Sequence, residues 1–229
     1  MIDRTPISQI VARQIQEKIQ SGEIAASERL PSQRKLAEKL GVSRSSLREA
    51  LMTLESLGLI KTYVGSGTVV CDPKDVAAPK NAHWRYAERY DMQDVFEVRL
   101  IYEGRLALHA AQTTTADDIK ALTDATDKME SAWEAGDLVA NVEEDLNFHR
   151  HIAQKNRNAL LFQHYQSIAA LLTETQRQPI PFTAVNRMAE SIAEHRAIIH
   201  ALHERDGEAA EKAMMAHIRN TAKCAGIDV

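Results

Sequence analysis

Residues 30–51 read LPSQRKLAEKLGVSRSSLREAL, and this stretch decides the fold of the N-terminal part of the chain. Ser32 and Ser43 each stand before a short amphipathic run, and serine is a preferred N-cap of helices. Gly41-Val42-Ser43 separates the two runs as a tight break. The stretch therefore predicts two short helices joined by a turn.

The flanks of this stretch complete a small domain. Before it, apolar residues repeat at steps of three and four, as they do on the buried side of a helix: Ile7, Ile10, Val11, Ile15 and Ile19. After it, residues 59–63 and 68–70 are rich in β-branched and aromatic side chains, and Gly65-Ser66-Gly67 between them predicts a hairpin tip. We expect three helices followed by a two-stranded ribbon.

The remainder of the chain is predicted to be helical. We interpret residues 72–90 as a linker, because they contain Pro73 and Pro79 and few periodic apolar positions. Amphipathic helical patterns then cover residues 91–112, 116–135, 138–155, 158–174, 184–204 and 207–224. The short loops between them predict an antiparallel all-α bundle of about six helices. We therefore expect a mainly α protein with an N-terminal domain of residues 1–71 and a bundle of residues 91–229.

Composition excludes several classes of protein. With 44% apolar and 26% charged residues, the 229-residue chain can bury a core and is not a disordered tail. Cys71 and Cys224 are its only cysteines, which excludes a disulfide framework or a Cys-rich zinc finger and fits a reducing compartment. The sequence shows neither an export signal nor an apolar run of roughly 20 residues that could span a bilayer. We expect a cytoplasmic protein that does not bind membranes.

Charge is distributed unevenly between the two parts. The net charge is −4, but residues 1–72 carry 10 Lys+Arg against 8 Asp+Glu, and the rest carries 18 against 24. Five basic residues lie within residues 34–48, opposed only by Glu38. This pattern favours an anion-facing module attached to an acidic body, with a merely solvated helix surface as the alternative.

The second short helix has the composition of a DNA-reading helix. In a helix-turn-helix the N-terminal residues of the second helix face base edges in the major groove, and here they read Ser43-Arg44-Ser45-Ser46-Leu47-Arg48. Arginine can donate two hydrogen bonds to guanine, and serine can donate to a phosphate or a base. A single module reads few base pairs, so we expect a homodimer on a double-stranded inverted-repeat operator.

About 60 residues of this part resemble a known family. Leu30-Pro31-Ser32-Gln33-Arg34-Lys35-Leu36-Ala37, Leu40-Gly41-Val42-Ser43-Arg44 and Gly65-x-Gly67-Thr68 occur in the order found in the winged-helix head of the GntR transcription regulators. The resemblance implies a winged helix-turn-helix. It also implies operator contacts by Arg34, Ser43, Arg44, Ser45, Ser46, Arg48 and Gly65.

Four residues of the second part have the chemistry of a metal site. Asp145 and His149 are four residues apart, which places them on one face of a helix, and His195 and His217 lie on two later helices. If these helices converge, one carboxylate and three imidazoles suit Zn²⁺ best, with Ni²⁺, Mn²⁺ or Fe²⁺ as alternatives, and do not suit Ca²⁺. The spacing of these residues alone does not establish that the three helices turn the four side chains toward one another.

The same segments resemble the C-terminal ligand-binding bundle of the FadR branch of GntR regulators. Asp145-x-x-Phe148-His149, Glu194-His195-x-x-Ile198 and Met214-x-x-His217-Ile218 carry this resemblance, which implies that the four residues bind a divalent metal. It extends to Arg99, Glu103 and Asn158 and implies that they contact an effector, with Arg99 pointing into the pocket. A guanidinium beside an open-sided metal is a receptor for a small carboxylate. The alternative for Arg99 is an ion pair with Glu103, one turn away.

These observations predict a transcription regulator, not an enzyme. We expect a repressor that leaves its operator when a small carboxylic, hydroxy or sugar acid binds the metal. One alternative is a metal-dependent hydrolase-like enzyme with a nucleic-acid-binding appendage, although HExxH, a nucleophile–base pair and a Gly-rich cofactor loop are all missing. Another is a purely structural metal, with the effector bound elsewhere or absent.

Overall fold

The computed structural model describes residues 6–63, 65–72 and 84–229, with the backbone only at position 182. The described residues fall into two compact units. One contains the N-terminal helices and ribbon together with Asp137–Ala140, and the other contains most of the helical remainder. The domain bounds drawn from the sequence stay predictions, and positions 73–83 of the expected linker lie outside the described residues.

The N-terminal unit has the element order that the sequence predicts. Its described elements are α1 (Ile7–Gln20), α2 (Gln33–Leu40), α3 (Arg44–Ser56), β1 (Ile60–Tyr63) and β2 (Gly67–Val70). The strands pair antiparallel with Ile60 opposite Val70. Both of these side chains are buried and join the ribbon to the helices. The expected winged helix-turn-helix is confirmed.

Local chemistry explains the bounds of α2 and α3. The Ser43 hydroxyl accepts a 3.1 Å hydrogen bond from the Ser46 amide, which satisfies one of the free N–H groups at the start of α3. Ser32 caps α2 in the same way. Gly41 ends α2 with φ of 66°, a left-handed conformation that glycine adopts without a steric penalty. Four residues of α3 face the core: Leu47, Ala50, Leu51 and Leu54.

The expected apolar face of α1 is only half correct. Val11 and Ile15 are 2% exposed, and α1 packs through them against α3. Ile7 and Ile10 are 57% and 45% exposed, so assigning them to the core of this unit was wrong. Ile7 lies in the first turn, and Ile10 is rotated about 100° from Val11. The buried face is completed by Ala12 and Gln16 instead.

The C-terminal unit is a bundle, as predicted, with one more helix than expected. Its described α-helices are α4 (Met92–Ala110), α5 (Ala116–Glu134), α6 (Leu138–Gln154), α7 (Ala159–Ser167), α8 (Ala169–Arg177), α9 (Val185–His203) and α10 (Gly207–Cys224). The predicted helix over residues 158–174 is broken at Ile168, whose φ of −107° leaves the helical region. The Ser167 hydroxyl donates to the His164 carbonyl there and competes with the helical hydrogen bonds. No helix of the described chain is both long and apolar enough to cross a membrane.

Close packing of α4 against α10 and of α9 against α10 forms the centre of the bundle. Gly207, the first residue of α10, comes so near to α4 that a Cβ atom there would lie 2.8 Å from the Leu108 carbonyl oxygen. A capping box joins Thr115 and Asp118 at the start of α5. Trp84 is 6% exposed and belongs to the bundle core, so this end of the expected linker packs on the bundle.

Candidate functional site

Four side chains from three helices meet inside the bundle. Asp145 and His149 come from α6, His195 from α9 and His217 from α10, and one potential ligand atom of each lies within 4.8 Å of all the others. The three histidines are at most 2% exposed. The structure thus brings together the quartet expected from the sequence, and its role as a ligand set stays a prediction.

The helix lengths explain this convergence. Asp145 and His149 share a face of α6 because they are one turn apart. A short turn joins α9 to α10, with the Asp206 side chain capping α10 by a 2.9 Å hydrogen bond from the Ala209 amide. His195 and His217 lie about three turns before and after this turn, so they reach the same level of the two antiparallel helices.

The nitrogens in the centre of the quartet lack hydrogen-bond partners among the described residues. His149 Nε2 and both ring nitrogens of His195 are buried without one. His195 Nε2 lies 3.2 Å and His149 Nε2 3.7 Å from the same atom, Asp145 Oδ1. A buried polar group left without a partner costs about 1–3 kcal/mol, so this arrangement fits a site built around a cation.

Asp145 is oriented by a neighbour from a fourth helix. Gln176 of α8 donates a 2.9 Å hydrogen bond to Asp145 Oδ2, which leaves Oδ1 facing the imidazoles. Burial raises the pKa of Asp145, but electrostatic attraction to His149, with smaller contributions from His195 and His217, outweighs burial and holds this pKa below its ordinary value. The carboxylate is therefore ionised, as a metal ligand must be.

His217 is held by a chain of hydrogen bonds that ends at a guanidinium. Its Nδ1 donates to Glu194 Oε2 at 2.9 Å, which leaves Nε2 as the available ligand atom. Arg187 donates to both oxygens of Glu194, at 2.9 and 2.7 Å, and Asn220 donates to one of them. Burial, helped by the nearby His195, lowers the pKa of His217 to about 4. Burial opposes ionisation of Glu194, but hydrogen bonds from His217 and Arg187 lower its pKa to about 2.

His149 has a similar chain on the opposite side of the quartet. Its Nδ1 contacts Glu103 Oε2, and Arg99 donates to Glu103 Oε1 at 2.7 Å. Burial raises the pKa of Glu103, but Arg99 and His149 outweigh burial and lower it to about 2. Arg99 is fully buried and also donates to Thr175, while its third nitrogen has no partner among the described residues. The ion pair between Arg99 and Glu103, one of the two expected possibilities, is thus present.

A cavity of about 430 Å³, including its part open to solvent, reaches the quartet from one side. Asp145 and His217 line it together with Gln176 and Arg187. Its other lining residues are small polar or apolar: Met129, Asn141, Pro179, Ile180, Thr183, Met188, Ser191, Thr221 and Cys224. A small polar molecule can therefore approach the quartet from solvent.

The three residues expected to contact an effector, Arg99, Glu103 and Asn158, do not lie together in the bundle. Arg99 and Glu103 lie behind the quartet and do not line this cavity. Asn158 is exposed, and its side chain caps α7 by accepting from the Leu161 amide at 3.1 Å. The structure thus brings Arg99 and Glu103 to the quartet but gives Asn158 a capping role, and effector contact by these residues stays a prediction.

Sequence reasoning missed three residues that hold the ligands in place. Arg187, Glu194 and Gln176 received no role, although the seven-residue spacing of Arg187 and Glu194 puts them on one face of α9. His151, two residues beyond His149, is not part of the quartet, and its Nε2 lies 3.0 Å from Asp118 Oδ1.

The residues expected to contact DNA belong to the N-terminal unit. Arg44, Ser45 and Arg48 are exposed in the first two turns of α3, and the hydroxyls of Ser45 and Ser46 lie 2.8 and 2.9 Å from that of the capping Ser43. Arg34 is exposed on α2 and paired with Glu38 at 3.0 Å. Gly65, at the tip of the ribbon, has φ of 75°, which favours glycine.

Both units match known protein families. The model of bacterial regulatory proteins of the gntR family matches residues 7–70, and the FCD domain model matches residues 94–220. The transcriptional regulator LutR of Bacillus subtilis (strain 168) is 32% identical over 210 residues, covering 88% of this chain and 93% of LutR.

Two relatives from Escherichia coli (strain K12) also align with most of this chain. The Glc operon transcriptional activator is 30% identical over 232 residues, 96% of this chain and 89% of that protein. A protein described as regulatory for the L-lactate dehydrogenase operon is 31% identical over 227 residues, 93% of this chain and 83% of its own.

Solved structures share the fold. E. coli McbR/YncC is 19% identical with a TM-score of 0.56, over 97% of this chain and 98% of that chain. A protein described as a GntR-type regulator from Rhodococcus sp. RHA1 is 17% identical with a TM-score of 0.57, over 97% and 99% of the two chains.

Proposed function

The chain belongs to the GntR family of bacterial regulatory proteins and is a DNA-binding transcription regulator with an FCD domain; from this premise we propose that a small organic acid, held by a metal ion in the bundle, controls its binding to operator DNA. The observation that carries this proposal is the buried Asp145–His149–His195–His217 quartet, which has unpartnered nitrogens at its centre and a cavity beside it.

We propose that the four residues bind a divalent transition metal, with Zn²⁺ first and Ni²⁺, Mn²⁺ or Fe²⁺ as alternatives. Three imidazoles and one carboxylate are donors that these ions share. Glu103, Glu194 and Gln176 orient three of the four ligands, as the partners of metal ligands commonly do. When bound, the ion supplies a Lewis acid that attracts a carboxylate or hydroxyl oxygen.

The charges around the quartet favour a singly charged acid. Asp145, Glu103 and Glu194 carry three negative charges, and Arg99 and Arg187 carry two positive ones. Ligand histidines bind as neutral imidazoles, so a divalent ion leaves the site with one positive charge. Because uncompensated buried charge is costly, we propose a monocarboxylic acid that carries hydroxyl groups.

Two further observations support a small hydroxy acid. The cavity offers Ser191, Thr183 and Asn141 as hydrogen-bond partners for its hydroxyl and carboxylate groups. One relative is described as regulating the operon of L-lactate dehydrogenase, an enzyme whose substrate is such an acid.

For the N-terminal unit we propose the DNA contacts expected from the sequence, made by Arg34, Ser43, Arg44, Ser45, Ser46, Arg48 and Gly65. The exposed arginines of α3 and the glycine tip of the ribbon support this proposal. We propose a homodimer on an inverted-repeat operator, because one module reads few base pairs. As a regulator of transcription, the protein is proposed to act in the cytoplasm.

We propose repression that the acid relieves, following the common behaviour of GntR regulators. An acid can do this only if it has different affinities for the DNA-bound and free arrangements. The test is fluorescence anisotropy with DNA that the protein itself selects in vitro, titrated with the acid. Affinity that falls with acid supports repression, whereas affinity that rises would assign a positive role, as in the relative named an activator.

The test of the site is a thermal-shift screen of small monocarboxylic acids against the Zn²⁺-loaded protein. We expect some acids to stabilise the wild type, by about 2.7 kcal/mol at a hundredfold excess over Kd. Asp145→Asn should abolish the response, whereas Asp124→Asn, at an exposed position of α5, should keep it.

Chelation separates a sensing from a purely structural metal. If the chelator lowers the melting temperature but acids still stabilise the protein, the metal is structural and the effector binds elsewhere. The hydrolase alternative is not favoured, because the relatives are transcription regulators and not enzymes.

A further inference from the structure

Two parallel chains of arginine, glutamate and histidine end at the quartet, and they differ in their access to solvent. Arg99–Glu103–His149 is buried throughout, and Arg99 is 0% exposed. Arg187–Glu194–His217 opens to the cavity, with 14% of the Arg187 side chain and 17% of the Glu194 side chain exposed. An anion that enters from solvent therefore meets the second chain.

We propose that Arg187 is a second anion-binding side chain of the effector site, which exchanges Glu194 for the carboxylate of the incoming acid and thereby couples occupancy of the cavity to His217. The inference rests on the proposed function, because it assigns a role within the same site. It adds a residue and a coupling that the ligand quartet alone does not contain.

Arg187 has the position and chemistry that this role needs. Among the described residues that line the cavity it is the one with a permanent positive charge. Its planar guanidinium binds the Glu194 carboxylate through two nitrogens, at 2.7 and 2.9 Å, and lies 3.4 Å from the exposed Glu190, so the geometry suits the carboxylate of an acid in the place of Glu194. It stands only two hydrogen bonds away from the ring of His217.

Glu194 does not depend on Arg187 alone. It also accepts 2.8 and 2.9 Å hydrogen bonds from Asn220 and His217, so it stays in place when the guanidinium turns toward the cavity. The ion pair of Arg99 with Glu103 cannot be exchanged in this way, because Arg99 is buried and also donates a hydrogen bond to Thr175. The exchange is therefore possible at Arg187 and blocked at Arg99.

The direction of the coupling follows from charge. When the Arg187 guanidinium turns to the acid, Glu194 becomes a stronger acceptor for the His217 N–H. A stronger acceptor makes the opposite ring nitrogen of His217 a better metal ligand. The acid should thus raise the affinity for the ion, and by reciprocity the ion should raise the affinity for the acid to the same extent.

The experiment measures two affinities in the full-length protein. Zn²⁺ affinity is obtained by competition with a chromophoric chelator, with and without L-lactate, and L-lactate affinity by calorimetry on the Zn²⁺-loaded protein. Lactamide, which lacks the charge, is the control ligand. The variants are Arg187→Gln and Arg187→Lys, and the control is Arg196→Gln, which removes an exposed arginine of the same helix that is paired with Glu130. Circular dichroism monitors folding of each variant.

We expect wild type and Arg196→Gln to bind L-lactate but not lactamide, and to hold Zn²⁺ more tightly when L-lactate is present. Arg187→Gln should bind L-lactate at least tenfold more weakly and lose the effect of L-lactate on Zn²⁺ affinity. Arg187→Lys, which keeps the charge but not the planar fork, should fall between them. Both variants should retain one Zn²⁺ per chain.

Two results would overturn the inference, and they are distinguishable. If wild type binds an acid of the screen, L-lactate or another, and Arg187→Gln binds that acid equally well with the same coupling, Arg187 has no such role while the proposed function stands. If wild type binds neither L-lactate nor any other acid of the screen, the proposed function fails and this inference fails with it.

Discussion

Glu194 Oε2 lies 2.9 Å from His217 Nδ1 and so links the neighbouring helices α9 and α10 at the level of the quartet. The hydrogen bond fixes which nitrogen of His217 carries a proton, and it turns the other nitrogen into the free electron-pair donor. The carboxylate is itself held by Arg187 and Asn220. The orientation of one proposed ligand therefore depends on three residues outside the quartet.

Glu194→Gln should weaken metal binding without removing a ligand. The amide keeps the size of the side chain but is a poorer acceptor for the His217 N–H, so we expect a loss of about 10- to 100-fold in Zn²⁺ affinity, measured by chelator competition. Glu190→Gln, an exposed neighbour that also contacts Arg187, is the control and should change little. Equal affinity in both variants would contradict the role of Glu194.

Arg48→Ala should weaken operator binding without affecting stability. The side chain is exposed on α3, so its loss removes DNA contacts but no packing. A base contact of this kind contributes about 1–3 kcal/mol, which corresponds to a roughly 10- to 100-fold change in Kd by anisotropy. The matched control is Arg105→Ala, an exposed arginine of α4. If Arg48→Ala binds like wild type, Arg48 is not a contact residue.

Ser43 needs separate treatment, because its hydroxyl caps α3. Ser43→Ala should lower the free energy of unfolding by about 0.5–2 kcal/mol in urea denaturation, since the Ser46 amide loses its acceptor. A loss of operator affinity with unchanged stability would instead show that the hydroxyl serves DNA and not the helix.

Asp118 should make stability depend on acid pH. Burial raises its pKa, but hydrogen bonds from Lys155, Thr115 and His151 outweigh burial and hold the pKa below its ordinary value of 3.8. A lowered pKa in the folded state means that the carboxylate contributes stability above pH 3.8, and that this contribution is lost as the pH falls through and below that value.

Asp118→Asn should therefore be less stable than wild type by about 1–3 kcal/mol at pH 7, as determined by urea denaturation. The difference should shrink steadily between pH 5 and pH 2. Asp124→Asn, which removes an exposed carboxylate of the same helix, should differ from wild type by less than about 0.5 kcal/mol at every pH. A constant difference for Asp118→Asn would show that its charge is not involved.

Gly207→Ala should destabilise the bundle. The added methyl group would lie 2.8 Å from the Leu108 carbonyl, and backbone atoms cannot yield as a flexible side chain does. We expect a loss of about 1–3 kcal/mol in the free energy of unfolding. Glu208→Ala, at the neighbouring exposed position, should have little effect. Unchanged stability of Gly207→Ala would mean that α4 and α10 leave room for a methyl group.

Those elements of the architecture could be predicted from the sequence whose bounds depend on neighbouring residues only. Ser32 and Ser43 are N-caps as predicted, because capping depends on the next three residues only. The break at Ile168 was missed, since apolar periodicity continues across it. Ile7 and Ile10 were assigned to the core because periodicity identifies an apolar face but not where the neighbouring helix ends.

The candidate site was readable to the level of the quartet. The spacing of Asp145 and His149, together with the family resemblance, pointed to the four residues that the structure brings together. The roles of Glu194 and Gln176 were not readable, because the rotation of α8 and α9 about their axes decides which polar side chain meets which ligand. Arg99 could equally face a pocket or a carboxylate, and the structure contains the ion pair.

The polar chains described above run through α4, α6, α8, α9 and α10, so the ion would occupy the point where five helices of the bundle meet. If the proposed ion binds, its removal would leave four polar side chains uncompensated at this point, and we expect the bundle to unfold at a lower temperature.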